Sequence, residues 1–304
     1  MLRRTLLASA GAMALTGAAL AAEPALAPPP VIPPPPPAWT GLYVGFNAGG
    51  TWSNSTTIHT TTEDIVGNPG VVGGPAFGVA SADLATGSIS PVNHSGFIGG
   101  GQVGYNYQFN NSWSSWVAGI EADIQGVAAS NSAHLVFGQA FVPGFAGSPI
   151  DQNLSSSMTG DFLGTVRGRL GFTIIPTLLF YGTGGLAYGQ TDSRTSITQI
   201  VENDPALPNH YSSFGSISNS RVGWTAGGGG EWLFAPNWSV KVEYLYYNLG
   251  SVSYGLTPLQ NFNTAGTLFT DGAPFSRASF RGNIVRAGLN YHFNFTPPPV
   301  VAKY

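Results

Sequence analysis

From Gly41 to Phe295 the chain alternates apolar and polar positions in eight runs, near 41–54, 94–109, 114–128, 158–174, 178–193, 220–235, 238–253 and 277–295. A period of two is the mark of a strand whose two faces meet different surroundings. In the last run Val285, Ala287, Leu289, Tyr291, Phe293 and Phe295 fall on one face, and Arg286, Gly288, Asn290, His292 and Asn294 on the other. The seventh sets Val240, Val242, Tyr244 and Tyr246 against Lys241, Glu243 and Tyr247; the fourth sets Phe162, Val166, Leu170 and Phe172 against Arg167 and Arg169. In the third, Trp116, Ile120 and Ile124 oppose Glu121 and Asp123. Three joints are short and built of turn formers, Asn110-Asn111-Ser112, Pro176-Thr177 and Pro236-Asn237. The other four, near 55–93, 129–157, 194–219 and 254–276, are long and rich in Gly, Ser, Thr and Asn, and read as polar loops. Alternation with short and long joints in turn predicts an all-β fold, an eight-stranded antiparallel up-and-down transmembrane β-barrel.

Composition points the same way. Only 8% of the 304 residues are charged, where a soluble domain carries about a quarter, so much of the surface meets something other than water. Beyond residue 22 no apolar run reaches the roughly 18–20 residues of a spanning helix. In lipid only a helix or a closed barrel satisfies its own backbone, and the barrel remains. Trp39, Trp52, Trp113, Trp232, Trp238, Tyr107 and Phe109 lie near strand ends, the expected place of aromatic girdles.

Residues 1–22 read as a signal peptide, with Arg3 and Arg4, an apolar stretch from Leu6 to Leu20, and an Ala19-Leu20-Ala21 cleavage pattern. Its removal takes the net charge from −3 to −5, which excludes a basic nucleic-acid patch. Residues 23–38, with Pro28-Pro29-Pro30 and the run Pro33 to Pro37, form an extended Pro-rich periplasmic arm. The barrel occupies 39–295, and a tail, 296–304, opens with Pro297-Pro298-Pro299. An even strand count puts both arms in the periplasm and the long loops outside the cell.

Several of these residues together carry a resemblance: Trp39-Thr40-Gly41-Leu42-Tyr43-Val44-Gly45 at the barrel's start, Gly164-Thr165-Val166-Arg167-Gly168-Arg169-Leu170-Gly171, Gly184-Gly185-Leu186-Ala187-Tyr188-Gly189, Glu243-Tyr244-Leu245-Tyr246 and the closing Val300-Val301-Ala302-Lys303-Tyr304. The chain resembles the outer-membrane immunogenic proteins of alphaproteobacteria, small barrels related to the opacity and OmpA-type proteins. The resemblance covers Trp39 to Phe295 and implies an eight-stranded barrel of the kind labelled porin family. It lends no catalytic residue, and the first loop is longer than the family leads one to expect.

The candidate site is a set of inward-facing charges, Glu121, Asp123, Arg167, Arg169, Glu231, Lys241, Glu243 and Arg286, about 4–9 residues from the periplasmic strand ends and so in one broad layer. Four acids balance four bases. An eight-stranded barrel is only wide enough for its own side chains, so the layer reads either as an ion-paired plug or as the lining of a narrow or gated ion path.

Other motifs carry less. Gly99-Gly100-Gly101-Gln102-Val103-Gly104 and Gly182-Thr183-Gly184-Gly185-Leu186-Ala187 match a dinucleotide fingerprint in spacing but sit inside strands, without the helix that would hold a pyrophosphate. The histidines His59, His94, His134, His210 and His292 show no spacing of a metal site or a nucleophile–base pair. No catalytic, cofactor or metal residue is assigned. The loop acids Glu63, Asp64, Asp83, Asp151, Glu202, Asp204 and Asp271 predict an acidic outer rim with few bases. The expected role is a structural or surface outer-membrane barrel that supports the envelope and presents its loops. The alternative is a small-solute or ion porin, with a lipid-modifying barrel enzyme third. Expected partners are outer-membrane lipid and lipopolysaccharide, periplasmic chaperones and the barrel-assembly machinery during biogenesis, and peptidoglycan through the Pro-rich arms.

Overall fold

The computed structural model describes residues 39–53, 57–65, 75–89, 95–110, 115–129, 133–141, 149–201, 210–262 and 268–293. The signal peptide, both Pro-rich arms, His94 and Trp113 lie outside them.

Eight strands close a ring: β1 (Gly41–Trp52), β4 (Ser95–Asn110), β5 (Ser115–Ala129), β8 (Phe162–Ile175), β9 (Leu178–Val201), β10 (His210–Ala235), β11 (Trp238–Gly255) and β13 (Leu268–Phe293). Each pairs antiparallel with the next, and β13 returns to β1. Closure leaves no strand edge in the membrane, so every backbone group there has a partner. Turns at Pro176-Thr177 and Pro236-Asn237 join β8 to β9 and β10 to β11.

The outward face carries an apolar belt. Phe46, Tyr105, Ile120, Ile124, Val166, Leu170, Leu186, Val222 and Val242 are all exposed. Aromatic pairs border it at the turn end, Tyr107–Phe109, Trp116–Phe172, Trp232–Phe234 and Trp238–Tyr291, and Trp224–Tyr246 borders it toward the loops. Trp232 and Trp224 stand eight residues apart on β10, a span of roughly 20 Å along the barrel axis at a tilt near 40°. That matches the lipid-facing band of this class. Trp39 departs from its expected place in a girdle. It is fully buried, its indole N–H donating to the Pro176 carbonyl oxygen (3.0 Å), and with Val117, Leu179, Tyr181 and Leu233 it closes the turn end of the lumen. An indole with a buried acceptor for its N–H gains more inside than at the interface.

The four long connections are not the irregular polar loops the sequence suggests. β9, β10 and β13 have 24, 26 and 26 residues, against the roughly 9–11 that cross a membrane, and rise well past the belt. There β7 (Ile150–Thr159) pairs with β9, β6 (His134–Ala140) with β7, β2 (Ile58–Asp64) with β13, β3 (Gly87–Ile89) with β2, and β12 (Leu259–Phe262) with β10 and β13. The described residues therefore hold thirteen strands, eight in the ring and five extending its wall, with one helix, α1 (Pro75–Ala85). Phe77, Ala82 and Ala85 of α1 are buried. Ser81 donates to Gln199 Oε1 (2.6 Å), and Gln152 Nε2 donates to the Leu84 carbonyl oxygen (2.6 Å), so the helix is tied to β9 and β7. The apolar core of this dome, including Ile58, Phe77, Ile150, Leu154, Ile197, Val252 and Leu259, runs down to Ile98, Leu245 and Ile284 inside the ring.

Candidate functional site: the charged layer of the lumen

Register explains how eight charges come to one level. Glu121 of β5 stands opposite Arg167 of β8, Glu243 of β11 opposite Arg286 of β13, and Glu231 of β10 opposite Lys241 of β11. All eight are buried. The contacts go beyond these neighbours. Arg167 binds Glu121 on the adjacent strand, reaches Asp123 at 3.0 Å, and crosses to Glu243 at 2.7 Å. Arg286 binds Glu243 at 2.7 Å and crosses to Asp123 at 2.8 Å. Lys241 passes over its neighbour Glu231 to hold Glu121 with its ammonium 2.8 Å from both carboxylate oxygens. In the ring order β5 lies diametrically across from β11. Glu231 is held by Arg169 of β8 at 2.6 Å. These seven contacts span the lumen wall to wall.

Neutral groups complete the layer. Tyr43 Oη donates to Glu121 Oε2 (2.6 Å) and accepts from Arg169 Nη1 (3.1 Å). Thr165 Oγ1 donates to Asp123 (2.7 Å) and accepts from Arg167 Nε (2.8 Å). Asn290 Nδ2 and Ser239 Oγ donate to Glu231 Oε1 at 2.7 and 2.6 Å. The Arg169 guanidinium lies 4.0 Å from the centre of the Tyr181 ring, a cation–π contact in a desolvated setting. Carboxylates buried this deeply persist as charges only with such complete pairing and donation.

Small inward residues make the crossings possible. A Cβ at Gly104 of β4 would come within 2.4 Å of the Tyr43 ring, so glycine there is what lets Tyr43 reach across β4 to Glu121. A Cβ at Gly288 would crowd the Lys241 stem at 3.1 Å. The fingerprint-like glycines of β4 and β9 thus serve strand packing, as their lack of a following helix implies.

The alternation identified the charged side chains. It did not identify Tyr43, Thr165, Ser239, Asn290 and His292 as their partners, although each has inward parity on its strand. His292 Nε2 lies 2.9 Å from Ser239 Oγ and 3.4 Å from Glu231 Oε1. The three residue types are those of a hydrolase triad, but the geometry differs. The carboxylate meets the same ring nitrogen as the hydroxyl, and Ser239 donates to Glu231 itself. A triad needs the acid on the far nitrogen, orienting the base toward a nucleophile that substrate can reach. Here Trp39 packs edge-on over His292, centroids 5.8 Å apart. Among the other histidines, His59 Nδ1 lies 2.7 Å from Ser88 Oγ on the exposed dome. Among the described residues no group of three or more His, Asp or Glu is placed to hold a metal ion.

The comparisons with known proteins follow the same lines. The chain is similar to the 31 kDa outer-membrane immunogenic protein of Brucella melitensis, 32% identical over 255 residues that cover 84% of each chain. It is 28% identical to a 22 kDa outer membrane protein of Rhizobium leguminosarum over 196 residues, 64% of this chain and 66% of that one. Among solved structures, OprG of Pseudomonas aeruginosa aligns over 84% of this chain and 97% of its own at 11% identity, with a TM-score of 0.36, too distant to bear on function. With the closed ring, the apolar belt and a match to the outer membrane protein beta-barrel domain across residues 7–293, the chain belongs to that family of outer-membrane barrels.

Proposed function

We propose that the protein is a closed, non-conducting barrel whose work lies in its surface: it anchors a rigid extracellular dome in the outer membrane and contributes to the envelope as a scaffold. The observation that carries this reading is the wall-to-wall ion pairing, Lys241 to Glu121, Arg167 to Glu243 and Arg286 to Asp123, with an apolar seal on either side. An ion crossing the layer would have to separate charges that are paired at 2.7–2.8 Å and leave each without a partner, a cost of about 3–5 kcal/mol for a single broken pair. In this class the short turns face the periplasm and the long connections face outward, so the dome is the part other cells and molecules meet.

The reading as a small-solute or ion porin rests on a different wall. Asn47, Gln102 and Asn106 line β1 and β4 with neutral amides, and the eight charges come from β5, β8, β10, β11 and β13. Conductance in planar bilayers separates the two readings: a silent, folded wild type supports the scaffold, and a steady ion-selective current supports the porin. The proposal includes no catalytic step, because the Ser–His–Glu cluster among the described residues is sealed and wrongly ordered for a relay.

A further inference from the structure

Two exposed arginines fall into a pattern that neither reading uses. Arg277 and Arg281 stand on the outward face of β13, and Arg221 of β10, which alternates with the outward Val222 and Trp224, reaches the same seam from the inner face. β10 and β11 pair only as far as Trp224 opposite Asn248, and a bulge at Gly250, with φ +80°, carries β11 away from its neighbour. Arg221 bridges the resulting seam and donates to the Ser251 carbonyl oxygen. From the other side Arg277 donates to Ser251 Oγ at 3.0 Å. Arg221 thus meets the Ser251 backbone from the inner face and Arg277 its side chain from the outer face. Arg281, exposed and opposite Asn248 in the register, adds a second outward positive charge toward the belt. Among the described residues none of the three has a carboxylate within ion-pairing distance.

Two acids of these strands, Glu231 and Glu243, face the lumen and are consumed there. On β2, Glu63 lies opposite Ala273, four residues beyond Arg277 and so about 10 Å further from the membrane at the tilt of such strands. Height is the second observation. Trp224 and Tyr246 mark the outer border of the belt. Ser251 lies three positions beyond Asn248, the partner of Trp224, which is roughly 8 Å above that border at the tilt of such strands. The polar headgroup zone of a bilayer occupies about 5–8 Å beyond the hydrocarbon on each side. Arg281 stands at the bottom of this zone and the Arg277 guanidinium, bonded to Ser251, within it.

From this placement we infer that the β10–β11–β13 face is a binding site for the phosphate groups of a phosphorylated glycolipid of the outer leaflet. The planar guanidinium forks of Arg277 and Arg281 bind the phosphate oxygens, the acyl chains lie on Trp224, Val242 and Tyr244 below, and Arg221 holds the seam shut. Guanidinium–phosphate pairs are strong, bidentate and directional. The site stands whether or not the lumen conducts.

The test uses the full chain exported to and extracted from the outer membrane, stripped of lipid in detergent, and titrated with three probes. These are bisphosphorylated lipid A, the same lipid with its phosphates removed, and inorganic phosphate. The wild type is expected to bind the bisphosphorylated lipid about tenfold or more tightly than either other probe, with an affinity that falls as salt rises. The double variant Arg277→Ala/Arg281→Ala loses that preference, as does Arg277→Glu alone, while Arg221 is left intact so that the seam stays closed. Arg194→Ala, a lone base on β9, keeps the wild-type preference. Undiminished binding by the double variant overturns the site, and so does an equal loss in Arg194→Ala, which would make the effect one of net charge. Inorganic phosphate binding as tightly as the lipid overturns the assignment to a membrane ligand. Retained resistance of the folded band to SDS at low temperature confirms that each variant is a closed barrel.

Discussion

The barrel within the belt and the dome above it are built from the same strands with opposite polarity. Along β9 the outward residues in the belt are Phe180 and Leu186, with Leu179 and Tyr181 inward; higher up the outward residues are Asp192, Arg194 and Ser196, and the inward ones Ile197 and Val201. Inside the belt the filling is four acids and four bases. In the dome it is Ile58, Phe77, Ile150 and Leu154, with α1 laid among them and Tyr254 Oη shared between Ser193 and Thr195 at 2.9 and 2.8 Å. Alternation makes a strand in both regions, and the solvent decides which face is dry. In lipid the apolar face turns out and the lumen takes whatever pairs within itself. In water the apolar face turns in, as in a soluble sheet.

The largest way to break this comparison is to remove one charge from the lower filling. Arg167→Ala leaves Glu121, Asp123 and Glu243 short of a shared partner, and is expected to destabilise the barrel by about 3–5 kcal/mol in equilibrium unfolding from lipid bilayers. A change of similar bulk in the dome, Leu154→Ala, removes apolar packing and is expected to cost about 2–5 kcal/mol, but as a separate loss of protease resistance in the extracellular segment while the belt stays folded. A third test sets the same substitution on both sides of the border. Val242→Arg places a cation in the belt and costs about 2–4 kcal/mol; Ser196→Arg, outward on the dome, stays within about 0.5 kcal/mol of wild type. Equal effects at the two positions would contradict the polarity switch. The smallest chemical change is Tyr43→Phe, which removes the hydrogen bond to the Glu121 carboxylate and the one accepted from Arg169, and is expected to cost about 1.5–3 kcal/mol with no change of fold.

The same switch explains what the sequence disclosed and what it hid. The eight runs were legible because lipid enforces the pattern: a slip of one residue along β8 would put Arg167 and Arg169 outside. The charges were legible for the same reason, since Arg or Glu in the middle of an apolar alternation has only the lumen to face. Beyond the belt that contrast is lost. Thr191, Ser193 and Thr195 face inward and are buried although polar, so β9 and β10 looked finished near 193 and 220 when they continue to Val201 and start at His210. The short helix α1 carries apolar residues on most of its circumference and a central glycine, Gly78, so it shows no stripe and no cap by which to recognise it. Trp39 was misplaced because its position at a strand end fits a girdle equally well; only the acceptor at Pro176, from a distant turn, distinguishes the two. The rim is likewise less uniformly acidic than its composition suggests. Arg277 and Arg281 stand outward on β13 just above the belt, and only the register fixes that height.

The closed lumen is tested most directly by single-channel recording in a planar bilayer, with wild type and Arg286→Ala inserted as demonstrably folded barrels. The paired layer predicts a silent wild type and, at most, brief cation-selective openings in Arg286→Ala, where Asp123 and Glu243 lose one of their bases. A steady wild-type conductance whose ion selectivity shifts in Arg286→Ala would contradict it and make the same eight charges the lining of a pore.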